Sequence, residues 1–245
     1  MKMTILMVMA AFCAMQALGQ DNKGEPAKPD KEARIAAIMK KTGGFLQRES
    51  KGKIVVVNCQ SRIPEAELRA RVERIEFVLK YAIEIRTGEW KFGDKKPADS
   101  TIAVYIVDDA ALPMSLVAVE SGWGVVNTAT LSPGARFSKE LTRVFCLTAG
   151  AANSPVATSP MQTVVNSADL DKLATDGFTF DMGSSINENL QSLGIYTTRK
   201  VTYKKACHEG WAPAPTNEVQ KAIWNEVHAV PKTPMKIEFD PKKGR

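Results

Sequence analysis

Apolar positions recur along the chain in two periods, and the clearest helical one lies between Ala135 and Gly150. There ARFSKELTRVFCLTAG sets Phe137, Leu141, Val144, Phe145 and Thr148 at helical spacing, which predicts an amphipathic helix with one face in the core. Its opposite side carries Arg136, Lys139, Glu140 and Arg143. A second stripe of Leu68, Val72, Ile75, Leu79 and Ala82 predicts a long helix opened by Pro64, with Arg69, Glu73, Arg74 and Lys80 turned outward. A shorter helix is predicted over 31–41, with Ile35, Ile38 and Met39 on one side and Gly43-Gly44 as its stop. Ser167 caps the short ADLDKLA helix, and Gly194 stops another over Ile186 to Leu193. Beyond Pro213 and Pro215, Thr216 or Asn217 caps a helix that turns Val219, Ala222, Ile223 and Val227 inward.

Strand signals fill the space between these helices. KIVVVNC (53–59) is a continuous β-branched run, the pattern of a strand buried on both faces. TIAVYIVDD (101–109), SLVAVE (115–120) and GWGVVNTAT (122–130) follow, and PMKIEFD closes the chain as a strand. The fold class expected is α/β (α+β): a mixed twisted sheet on two long helices, with a smaller, mostly helical and irregular C-terminal lobe. AANSPVATSP, small, polar and proline-bearing, reads as the loop between the lobes, so the N-terminal lobe spans 31–150 and the C-terminal lobe 151–245.

Residues 1–19 read as a secretory signal: Lys2, the apolar run ILMVMAAFCAM, then Ala17-Leu18-Gly19 as a cleavage site before Gln20. That run is too short to span a bilayer, and 20–30 form a polar, unpatterned leader. The mature product is therefore expected to be secreted or periplasmic, without a transmembrane segment. With 44% hydrophobic residues the chain can bury a proper core, and its net charge of +6 over 245 residues is mild. No dense Lys/Arg patch is interleaved with aromatics, which argues against a nucleic-acid partner.

Within the helix at 135–150, Lys139 and Arg143 stand one turn apart on one face, the geometry that a zinc protease gives to the two histidines of H-E-x-x-H. Eighteen residues beyond Arg143 comes Met161, after Pro160 and before a segment containing NSADLD. From Lys53 to Leu173 the chain resembles an archaemetzincin-type metalloprotease, H-E-x-G-H-x-x-G-x-x-H then C-x-M, with its zinc ligands replaced. The C-terminal TYKKACHEGWAPAPTNEVQKAIWNEVHAVPKTP resembles secreted metzincin-like proteins of Verrucomicrobia. The resemblance implies a metzincin-like fold, a Met-turn at Met161, and a cleft whose edge strand is either the GWGVVN region or Ser115 to Glu120. It does not carry the chemistry. An ammonium or guanidinium offers a metal no lone pair, so Lys139 and Arg143 cannot be ligands; the third ligand position falls on Ala149 and a family glycine on Cys146. Glu140 alone stands where the family keeps its general base. Taken without the resemblance, K-E-x-x-R is a solvated helix face with charge pairs at i, i+3 and i, i+4.

The expectation is a secreted pseudo-peptidase, with no metal or other cofactor and no catalytic residue. It would bind a peptide, polymer or protein partner, of acidic character, through Arg136, Lys139, Glu140, Arg143 and Trp123. Two alternatives stand beside it: a hydrolase that uses Glu140 or the Cys207-His208-Glu209 cluster, and a structural envelope protein in which Lys139, Glu140 and Arg143 form internal ion pairs filling the vacated metal site. Three cysteines follow the signal, Cys59, Cys146 and Cys207. Either Cys146 and Cys207 form a disulfide across the cleft or all three are reduced and buried.

Overall fold

The computed structural model describes residues 30–156, 159–173 and 180–229; the expected signal, nearly all of the leader and the expected strand PMKIEFD lie outside them. The elements run α1 (Lys31–Thr42), β1 (Phe45–Leu46), β2 (Ile54–Asn58), α2 (Glu65–Leu79), β3 (Ile83–Thr87), β4 (Ile102–Val107), β5 (Ser115–Ala118) and β6 (Trp123–Asn127). A 3-10 turn over Thr128–Thr130 leads into α3 (Ala135–Thr148), followed by α4 (Asp169–Lys172), α5 (Phe180–Ser192), β7 (Val201–Thr202), α6 (Tyr203–His208) and α7 (Glu218–Ala229). None of the described helices is long and apolar enough to cross a membrane.

Residues 45–214 form one compact unit, which contains the residue-150 position expected to divide the lobes. Its centre is a five-stranded mixed sheet in the order β3-β2-β4-β6-β5, with β5 antiparallel and the other neighbours parallel. The apolar runs of β2 and β4 lie in the middle, where both faces are covered. On one face, Ile54, Val56, Val104 and Val126 pack with Leu68, Val72 and Ile75 of α2 and with Phe137, Leu141, Val144 and Phe145 of α3. On the other, Val55, Val57, Tyr105 and Val125 meet Trp90, Leu112, Leu116 and Trp123, from loops and strands. The class expected from the hydrophobic pattern, a mixed sheet on two long helices, is the class found.

The differences lie at the ends and edges. The α2 stripe stops at Leu79 instead of reaching Ala82, because Lys80 turns left-handed (φ 61°) and donates its N–H to Glu76 O. β3 was not expected, although IEIRT alternates apolar and polar positions as a half-buried edge strand does; its Arg86 guanidinium bonds both Glu84 and Asp99. The β1–β7 ladder, two residues long, and α6 were not expected either.

Residues 30–44 and 215–229 belong to a second unit. Asn217 Oδ1 accepts from Gln220 N at the start of α7, so Asn217 is the cap, and Gln220 Nε2 donates to Gly43 O.

Candidate functional site

Two contacts fix α3 against the sheet edge. Gly124 of β6 has no side chain, and a Cβ built there would stand 2.5 Å from Thr148 Oγ1 and 2.7 Å from Val144 Cγ1, so the helix approaches the strand as closely as a glycine permits. Asn127, at the end of β6, is buried and ties down the β4–β5 connection. Its Nδ2 donates to Asp109 O and Leu112 O, while Oδ1 accepts from Asp109 N and Ala129 N. These contacts bring β5 alongside α3 and settle the edge: it is Ser115–Ala118, with β6 next inward.

The charged side of α3 faces this strand and α4, and is largely enclosed. Glu140 is 0% exposed and Arg143 7%. The pair is bidentate: Arg143 Nε donates to Glu140 Oε2 at 2.8 Å and Nη2 to Oε1 at 2.6 Å, with Nη2 also 3.1 Å from Ser115 Oγ. Lys139 Nζ donates to the carbonyls of Leu170 and Leu173 at 3.0 and 2.9 Å, which closes the end of α4 onto α3. Arg136 forms a forked pair with Asp171. That contact holds the Asp171 carboxyl below the usual carboxylate range and raises the Arg136 guanidinium. The reading of K-E-x-x-R as a solvated face is therefore corrected: β5, α4 and Leu173 cover it, and its charges have internal partners.

Below this layer Met161 is fully buried in the same core as Phe137 and Leu141, its carbonyl accepting from Ser154 N. Ala149 is the C-cap of α3 and also buried; its carbonyl accepts from Asn189 Nδ2 at 2.9 Å. The zinc that the resemblance implies does not fit these residues. The two positions one turn apart hold an ammonium bound to carbonyls and a guanidinium bound to Glu140, and the third holds a methyl group. Among the described residues no three His, Cys, Asp or Glu side chains are placed to hold a metal.

Two other expectations are corrected. Trp123 does not join this face: it belongs to the opposite side of the sheet, 6.3 Å from Trp90 between ring centres, beside a cavity lined by Lys95, Lys96 and Pro97. Cys146 and Cys207 form no disulfide, and Cys59 is free as well. Cys146 is enclosed in the core under α3, whereas Cys207 is buried in α6 next to the β1–β7 ladder. Burial raises both thiols, and burial with the nearby Glu89 pushes Cys59 up to about 11. In the Cys207-His208-Glu209 run the cysteine points inward, the histidine is exposed, and Glu209 accepts from Trp211 Nε1, so the three diverge.

Ser115 is the member of this constellation that sequence reasoning missed. The only signal was its place at the start of a strand that the resemblance named as a possible cleft edge.

No family model matches the chain, and no curated protein does. Among solved structures it is similar to archaemetzincin from Methanopyrus kandleri, at 18% identity over 60% of this chain and 99% of that one, with a TM-score of 0.47. It is also similar to archaemetzincin from Archaeoglobus fulgidus complexed with malonate, at 8% identity over 54% of this chain and 99% of that one (TM-score 0.44). A zinc-dependent peptidase from Methanocorpusculum labreanum is similar at 13% identity over 54% of this chain and 100% of that one (TM-score 0.41).

Proposed function

We propose that this chain is an exported, non-catalytic binding protein on a metzincin-like scaffold, a pseudo-peptidase in which an internal ion pair stands where the family would hold metal. The observation that carries this reading is the buried Glu140–Arg143–Ser115 arrangement. Both oxygens of the one carboxylate that could serve as a base accept from Arg143, and the side chain is 0% exposed, so its charge is neutralised by the guanidinium and it meets no solvent water in this arrangement. Export rests on the signal read at residues 1–19.

The binding surface belongs beside α3 and not upon its charges. Lys139 and Arg143 are engaged with covered partners and Arg136 is paired with Asp171 at the surface, so the three do not form a free cationic groove for an acidic partner. The outer side of β5 is what the scaffold still offers. Among the described residues β5 pairs only with β6, and its side chains are half-buried, the condition in which an extended peptide adds as a further strand. Filled charges at α3 also favour a second reading, a structural envelope component, in which β5 packs on an assembly partner.

Selection of peptides from a random display library on the purified protein, followed by hydrogen exchange of the selected complex, separates these readings. Peptide binding should slow exchange at the Ser115–Ala118 amides and leave the peptide uncut after prolonged incubation with zinc. Cleavage would overturn the non-catalytic reading, and protection confined to other elements would overturn the strand-addition reading. Failure to select any peptide favours the structural one.

A further inference from the structure

A large cleft in the 45–214 unit lies away from α3, between the C-terminal end of α2, the outer face of α5 and the chain from Tyr196 to Trp211. Its volume of about 920 Å³ is at the upper end of the ~300–1,000 Å³ usual for small-ligand clefts, more than a single ring would fill. Four basic residues, Arg48, Lys80, Arg199 and Lys205, line it with one carboxylate, Glu209; the Lys80 ammonium stands 3.8 Å over the Phe77 ring. That carboxylate is already engaged, accepting from Trp211 Nε1 at 2.6 Å and lying 3.7 Å from Lys205 Nζ.

Arg48 is the informative residue. Its guanidinium carbon stands 3.6 Å over the Tyr196 ring and 5.8 Å from that of Trp211. Stacking uses the π face of the group and leaves the N–H fork in its plane for an acceptor. Among the described residues neither Arg48 nor Arg199 has a carboxylate partner, and no protein acceptor bonds the Arg48 fork. A half-buried guanidinium held flat with its donors unfilled is preorganised for a planar carboxylate.

We infer that this cleft binds an acidic oligosaccharide, a chain of uronic acid rings. Arg48 would take one carboxylate and Arg199 another, and the half-buried Trp211 ring, fixed by its bond to Glu209, would take the apolar face of a sugar. The remaining wall suits hydroxyl groups: Asn187, which accepts from Tyr81 Oη at 2.7 Å, has no acceptor for its own amide nitrogen among the described residues, and Gln191 and Thr197 lie beside it. A peptide main chain would ask instead for a length of strand edge; neither β3 nor β5 lines this cleft, and β7, two residues long, reaches it only through Val201. The inference is independent of the β5 reading, because no residue of β5 or α3 takes part.

Calorimetric titration with tetragalacturonate, its fully methyl-esterified counterpart and hexaglutamate tests it, at low and at physiological salt. The acid should bind at least about tenfold more tightly than the ester, with affinity falling as salt rises, as loss of charge-assisted pairs and screening require. Arg48→Gln and Trp211→Ala should each weaken it by about tenfold or more, while Arg69→Gln on the exposed side of α2 leaves it within about twofold. If Arg48→Gln fails to fold, Arg199→Gln, at an exposed position, carries the same test. No binding to any probe, equal binding of acid and ester, equal binding of hexaglutamate, or indifference to the Arg48 and Arg199 changes would each overturn the proposal.

Discussion

Arg143 sits three residues after Glu140 on α3, and each neutralises the other out of reach of solvent. Removing one partner of such a pair leaves a buried charge without compensation, which costs about 3–5 kcal/mol. Arg143→Met should therefore destabilise the protein by that amount in urea unfolding. The double change Glu140→Leu with Arg143→Met should recover most of the loss, since a buried pair exchanged for apolar groups of similar size is often neutral. A single variant that unfolds at the wild-type midpoint would show that the pair is solvated. The cysteines give a second residue-scale test. Without reductant, alkylation of the unfolded protein should label Cys59, Cys146 and Cys207 alike, whereas a Cys146–Cys207 bridge would leave Cys59 labelled alone. In the folded protein Cys146 should react slowly near neutral pH, because burial raises its thiol and shuts out reagent.

At the scale of elements, the α3–β6 approach positions the Glu140–Arg143–Ser115 arrangement. Gly124→Ala places a methyl group against Thr148 and Val144 and should cost about 1–3 kcal/mol in the same unfolding measurement, as overpacking does. The opposite edge of the sheet answers to pH. The Arg86 guanidinium, bonded to both carboxylates, draws Asp99 down to about 2 and lowers Glu84. A carboxyl depressed on folding adds stability that is present above its unfolded value of about 4 and is lost as pH falls through its folded value. Melting temperatures of wild type and Arg86→Gln should therefore differ near neutrality and converge as pH falls from about 4 towards about 2. A gap unchanged by acid would mean that these contacts do not persist in solution.

For the whole molecule, the parts legible in the sequence were those whose residues state their own burial. The β-branched runs of β2 and β4 and the stripes of α2 and α3 read directly as strands and helices, and together they define the mixed α/β class. The burial of Glu140 and Arg143 was not legible. Whether a charge faces water depends on what covers it, and here the cover comes from Ser115, earlier in the chain, and from Leu170 and Leu173, well after it. Periodicity sees only the helix itself. The Arg48 cleft was hidden for the same reason: its residues are drawn from four separate stretches, and the helical patterns of two of them report their own apolar faces, not what they meet. What the sequence did show at α3 was chemical, the absence of lone-pair donors at positions 139, 143 and 149, and the functional proposal joins that to the buried pair.

The most direct measurement is the metal content of the purified protein, prepared without chelators or a histidine tag, incubated with zinc, desalted and read by elemental mass spectrometry. With Glu140 and Arg143 joined and no ligand set at α3, zinc should stay below about 0.1 per chain. About one zinc per chain, released when Glu140 is changed to glutamine, would contradict the account by showing that the pair opens to admit a metal.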